Sequence, residues 1–184
     1  MRNNLQTVAS LLRIQSRQTG SEEVKESLSQ AMRRVSAIAV VHDVLSEGID
    51  QTVSFDQIFK RILLLIPEIA GYHTTVKTEF SGSFGDLAAE RSTPLALVLT
   101  EVVANAVEHG LSDRSGTISV FAERDKTHLH IEVTDDGVGL AEGKVGTGLG
   151  TQIIRTLVES ELRGKISWTA PIRGGTKVAI EIPA

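Results

Sequence analysis

Glu101 and Asn105 stand four residues apart in Thr100-Glu101-Val102-Val103-Ala104-Asn105-Ala106. On a helix this spacing puts a carboxylate and an amide oxygen one turn apart on one face. Hard oxygens so placed suit Mg²⁺, which keeps several waters and needs few protein ligands. A polar stripe on a surface helix would show the same pattern. Glu108 and His109 extend that surface by another turn. A second set, Asp135-Asp136-Gly137-Val138-Gly139, offers a carboxylate to accept a hydrogen bond from an exocyclic amine such as that of adenine. Its glycines let backbone approach a flat base. Taken alone it also reads as a glycine-rich surface turn. A third set, Gly146-Thr147-Gly148-Leu149-Gly150, leads into the apolar-periodic Ile153, Ile154, Leu157 and Val158. Glycines opening a helix present free N–H groups and the positive dipole end to phosphate. A dinucleotide-binding turn would need a strand before it. Residues 140–145 read as a loop instead, and the G-x-x-x-x-G-K-[ST] pattern is absent, so a glycine-rich lid over phosphates fits better.

These residues need elements to position them. Thr93-Pro94 predicts a helix start, followed by a buried face of Leu95, Val98, Leu99, Val102, Val103 and Ala106. Residues 127–133 alternate, with His128, His130 and Glu132 against Leu129, Ile131 and Val133, which predicts a half-buried strand ending at Asp135. Residues 117–124 and 127–135 form a hairpin, 165–169 and 176–182 two further strands, 77–80 an edge strand and 81–90 a polar loop. Ser54 caps a helix with Phe55, Ile58, Ile62 and Leu63 inward. Aromatic residues are sparse, so aliphatic packing should supply the core. Upstream, Leu5, Val8, Ala9 and Leu12 mark a first helix, and Thr19-Gly20-Ser21-Glu22 a turn with a capping box. A longer helix follows to about Leu45. Its Val24, Leu28, Ala31, Val35, Ile38, His42 and Leu45 recur in steps of four and three, a stripe that wants helical partners. Two such hairpins could bury it in a four-helix bundle. The fold class is therefore α+β: a helical hairpin over residues 1–48, then a mixed sheet with helices on one face over residues 49–184. Residues 47–50 read as a linker, with Gly48 a hinge between separate bodies.

The hydrophobic fraction of 41% is that of an ordinary globular chain. A net charge of −4 gives no reason to expect nucleic acid or an anionic membrane as partner. The absence of cysteine excludes disulfides. The run Ile62 to Ile66 before Pro67 is too short to span a bilayer, so no membrane segment is expected; the lack of cysteine and of a visible signal peptide favours a reducing, cytoplasmic setting.

In this order the three sets resemble the N box, D-x-G-x-G box and G-x-G-x-G lid box of the Bergerat-fold ATPases, the superfamily of gyrase, the Hsp90 chaperone, histidine kinases and MutL. Residues 174–180 resemble the last strand of that fold, and the resemblance covers residues 54–184. It implies ATP and Mg²⁺ as ligands. Asn105 would hold the metal and help align the γ-phosphate. Asp135, Gly137 and Gly139 would read adenine, with the Thr176 hydroxyl supporting the aspartate. Gly146, Thr147, Gly148, Leu149 and Gly150 would cover the phosphates, and His109 would face phosphate or ribose. Glu101 would orient or polarise a phosphoacceptor imidazole. The segment Arg2-Asn3-Asn4-Leu5-Gln6 resembles the tail of H-R-[VI]-K-N-N-L-Q, the first dimerisation helix of one class of sensor histidine kinases. That implies a homodimer through residues 4–45 and phosphoryl transfer to a histidine and then to the receiver domain of a response regulator. The acceptor histidine would lie just before Met1, four residues ahead of Asn3, so this chain by itself should not autophosphorylate. His42 falls on the apolar stripe and reads as a packed, hydrogen-bonded histidine rather than a substitute acceptor. Two alternatives remain at this point: a nucleotide-binding module that docks a response regulator without turnover, and a serine kinase of the anti-sigma-factor type.

Overall fold

The computed structural model describes residues 2–48, 52–67, 75–111, 115–139 and 148–184. Helices α1 (Arg2–Gln18) and α2 (Glu22–Glu47) form the expected hairpin. Ser21 is the N-cap of α2, its hydroxyl accepting from the Val24 N–H at 3.4 Å. The third helical residue is Val24, so the reciprocal half of a capping box is missing. Then come β1 (Thr52–Ser54), α3 (Phe55–Leu63), β2 (Val76–Gly82), β3 (Asp86–Ala88) and α4 (Ala89–Asn105), which continues as one π-helical turn, Ala106–Gly110. The chain closes with β4 (Gly116–Arg124), β5 (His128–Asp135), α5 (Leu149–Thr156), β6 (Lys165–Thr169) and β7 (Thr176–Pro183). Five strands make one mixed sheet in the order β2-β4-β5-β7-β6, with β2 parallel to β4 and the other pairs antiparallel. β1 and β3 pair separately.

Period-two alternation decides which face of the sheet is covered. Leu129, Ile131 and Val133 of β5, Ile118, Val120 and Ala122 of β4, and Val178, Ile180 and Ile182 of β7 point into one core with α3, α4 and α5. Asp135 has the same parity as Leu129, so the strand that builds the core also drives this carboxylate inward.

Three expectations need correction. Helix α4 starts at Ala89, not at Thr93-Pro94, and residues 86–90 are strand and helix rather than loop. Pro94 therefore lies inside the helix, in its second turn, and forgoes the hydrogen bond to the Glu90 carbonyl. The core also has an aromatic end: Phe55, Phe59, Phe80 and Phe84 meet with ring centroids 5.0–5.4 Å apart. Finally, the hairpin is not a body apart. The deeply buried residues of α2 are Ala37, Val41 and Val44, one step off the predicted stripe, and Val41 and Val44 join the core of the sheet domain. Half-buried Val35 and Ile38 lie on the neighbouring face. His42 is packed, but its Nδ1 is buried without a hydrogen-bond partner.

Candidate nucleotide site

A cavity of about 890 Å³ opens between α4, the end of β5, the start of α5, and α2. Asn105, His109, Asp135, Gly139, Gly148, Leu149, Gly150 and Thr176 line it, together with Glu101. Most of the residues singled out from the sequence thus share one pocket. Gly146 and Thr147 lie outside the described residues, as do residues 140–145.

Asp135 forms the floor. It is 4% exposed and accepts from the Gly137 N–H at 3.0 Å. Thr176 is its register partner on β7, and the Thr176 backbone N–H also favours the charged carboxylate. Burial pushes the Asp135 carboxyl above the usual range; the two N–H groups pull it back, and the charge of Asp136 adds to the rise. Asp136 itself turns outward and accepts from the Thr117 N–H at 2.8 Å, tying the loop to β4.

The glycines have a tighter reason than access for a base. A Cβ on Gly137 would overlap the Gly110 carbonyl, which accepts from the Val138 N–H at 2.7 Å. A Cβ on Gly110 would overlap the Asp135 carboxylate. The end of α4 and the D-x-G-x-G loop are thus pressed together backbone to backbone. The π turn contributes to this: the Leu111 N–H reaches back five residues to the Ala106 carbonyl at 2.7 Å. Such turns place side chains off the regular helical face, and here His109 lines the cavity.

At the opposite end, Glu101 is 3% exposed and accepts from Arg34 Nε at 2.6 Å. Its Oε2 lies 2.9 Å from where a Gly150 Cβ would be, and Asn105 Oδ1 lies 3.9 Å from the same point. Glycine there allows α5 to approach the two oxygen-bearing side chains. Asn105 and Glu101 form a hard-oxygen pair beside the start of α5. No cluster of three or more His, Cys, Asp or Glu side chains able to hold a metal exists among the described residues. A Mg²⁺ carried largely by phosphate oxygens and water requires no such cage.

Helix α2 also contributes lining, which no motif in the sequence marks. Gln30 and Arg33 reach the cavity, and Arg33 Nη1 donates to Glu108 Oε1 at 2.8 Å. Gln30, Arg33, Ala37, Val41 and Val44 recur in steps of three and four, so the signal was present beside the stronger stripe. Trp168 on β6 also lines the cavity, with the Arg155 guanidinium 4.9 Å from its ring centre.

The family comparisons agree with this geometry. A histidine kinase model matches residues 1–69, and the model of histidine kinase-, DNA gyrase B-, and HSP90-like ATPases matches residues 90–184. The sensor histidine kinase PdtaS of Mycolicibacterium smegmatis is 42% identical over the whole of this chain, and that of Mycobacterium tuberculosis 40%. In both cases the chain spans only 38% of the relative's length. The solved histidine kinase domain of the Erythrobacter litoralis EL346 blue-light activated kinase superposes with a TM-score of 0.73 at 27% identity, covering 99% of this chain and 94% of that one. The chain therefore belongs to the histidine kinase-, DNA gyrase B-, and HSP90-like ATPase family, on its histidine kinase branch and with the Bergerat fold.

Proposed function

We propose that the chain is the kinase core of a two-component system, taking the γ-phosphoryl of ATP to a histidine and from there to an aspartate on a response-regulator receiver domain. Residues 1–48 serve as dimerisation hairpin and residues 49–184 as ATP-binding domain. The observation that carries this reading is the buried Asp135 carboxylate, held by the Gly137 N–H at the floor of a cavity whose other end carries Asn105 and Glu101. Such a carboxylate accepts from the adenine amine and fixes the base. Gly148 and Gly150 open α5 toward the polyphosphate. Asn105 would hold Mg²⁺ together with phosphate oxygens, and the ion would neutralise charge on the transferring group. His109 faces the ribose or phosphates. Glu101 would orient an incoming imidazole, sharing its carboxylate with Arg34. The chain's work is alignment, since phosphoryl transfer depends on in-line positioning.

A homodimer through residues 4–45 fits the hairpin's outer face, where Val8, Leu11 and Ile14 are 44%, 57% and 50% exposed. No helix among the described residues is long and apolar enough to cross a membrane. The reaction belongs in the cytoplasm, where ATP and receiver domains are found. The histidine kinase match over residues 1–69 leaves the serine-kinase alternative without support.

Titration with a fluorescent ATP analogue tests the site. Asp135→Asn replaces an acceptor with a partial donor and should cost about 1–3 kcal/mol of affinity. Unchanged affinity would overturn the adenine assignment.

A further inference from the structure

We propose that Arg33, on the hairpin, is a nucleotide-contact residue whose guanidinium binds the ATP polyphosphate across the pocket. The proposal rests on the ATP-site reading above and adds to it a residue from outside the ATP-binding domain.

Three observations converge on Arg33. It lines the same cavity as Asn105 and Gly150 while being only 13% exposed. Glu108 takes only its Nη1, at 2.8 Å, so the fork keeps further donors, although its Nε is buried against protein rather than open to the cavity. A phosphate oxygen is the kind of acceptor a guanidinium fork matches. The third observation is charge. The acids lining the cavity are Glu101, Glu108 and Asp135, and Arg33 is the single permanently cationic side chain among the described lining residues. A polyphosphate adds several more negative charges to a site with little water, where unpaired charge is expensive. Arg34 also keeps a buried donor, Nη2, without a partner, but it pairs with Glu101 and is not part of the lining.

Glu108 then acts as a positioning residue. It holds one edge of the guanidinium and leaves the remaining donors to the ligand. The pocket is incomplete without α2, so nucleotide occupancy and the seating of the hairpin are coupled through one side chain.

The test measures affinities of ATP, ADP and adenosine by calorimetry for the unaltered chain, Arg33→Met and Arg33→Lys, with melting curves to verify folding. A lost charge-assisted contact predicts that Arg33→Met binds ATP about ten- to a hundredfold more weakly, with adenosine unchanged within about twofold. Arg33→Lys, which keeps the charge but not the fork, should recover part of the loss. Equal losses for ATP and adenosine would make Arg33 merely structural, and an unchanged ATP affinity would remove it from the site; either overturns the proposal. Asp135→Asn separates the parent reading: if it weakens adenosine while Arg33→Met leaves ATP unaffected, the site stands and only the Arg33 contact falls. If the unaltered chain binds no ATP, both fall.

Discussion

Arg34 Nε donates to Glu101 Oε1 at 2.6 Å and thereby pins the hairpin to the helix that carries Asn105. The carboxylate is almost wholly buried, so the guanidinium is what makes its charge tolerable. Glu101 cannot be understood as a side chain awaiting an imidazole alone; it is also the joint between α2 and α4. A histidine presented to it must share or displace Arg34.

Removing Arg34 would strand a buried carboxylate. Arg34→Met should cost about 3–5 kcal/mol of folding stability, the usual penalty for breaking a buried pair by deleting one partner. Urea denaturation measures it. A loss below about 1 kcal/mol, the range of surface ion pairs, would mean that the pair is not a structural joint. The double variant Arg34→Met with Glu101→Gln should recover much of the loss.

The raised pKa of Asp135 sets two opposite pH trends. Adenine recognition needs the ionised form as acceptor. ATP affinity should therefore be full above the raised pKa and decline as pH falls through it, at a higher pH than an ordinary aspartate at 3.8 would give. Folding of the empty chain has the reverse sign. The folded state holds this proton more tightly than the unfolded state, so the contribution favours the fold below 3.8 and is lost as pH rises from there through the raised value. Asp135→Asn should flatten both profiles. Binding that strengthens on acidification would contradict the acceptor role.

Gly137 and Gly148 should respond differently to the same change. Alanine at 137 drives a methyl into the Gly110 carbonyl, whereas alanine at 148 meets nothing within 4 Å. Gly137→Ala should destabilise by at least about 1–3 kcal/mol, as overpacking does. Gly148→Ala should leave the melting temperature nearly unchanged, so any loss of ATP affinity in it reports on the ligand. Equal melting temperatures would refute the close approach of the two backbones.

If a second copy covers Val8, Leu11 and Ile14, then Leu11→Glu with Ile14→Lys should convert a dimer to a monomer in light scattering. Both side chains are exposed within one hairpin, so its fold should survive. A chain that is monomeric at micromolar concentration before any substitution would refute the bundle.

The central sheet was legible because one periodicity governed it. Alternation from His128 to Val133 gave the strand, and continuing the same parity two residues further accounts for the burial of Asp135. The hairpin helices were legible for a similar reason, but α2 carries two apolar faces one residue apart. The heptad stripe through Val35 and Ile38 masked the face through Ala37, Val41 and Val44, and with it Arg33 and Arg34. Pairings between residues 67 or 75 positions apart leave no local pattern. Gly110 carries no local signal because its neighbour through space is Asp135, not a ligand. The start of α4 is not legible because Thr93-Pro94 has the composition of a helix start although a turn of helix already precedes it.

Phosphoryl transfer itself is the most direct test. With His-Arg-Val placed ahead of Arg2 in place of Met1, and several helical residues upstream, the chain should take acid-labile, base-stable label from γ-labelled ATP. Asn105→Asp should abolish the label, while His42→Gln should weaken the hairpin but leave labelling largely intact. Label on the unextended chain that disappears in His42→Gln, or no label on the extended chain despite bound ATP, would contradict a kinase core built around Asn105 and Asp135.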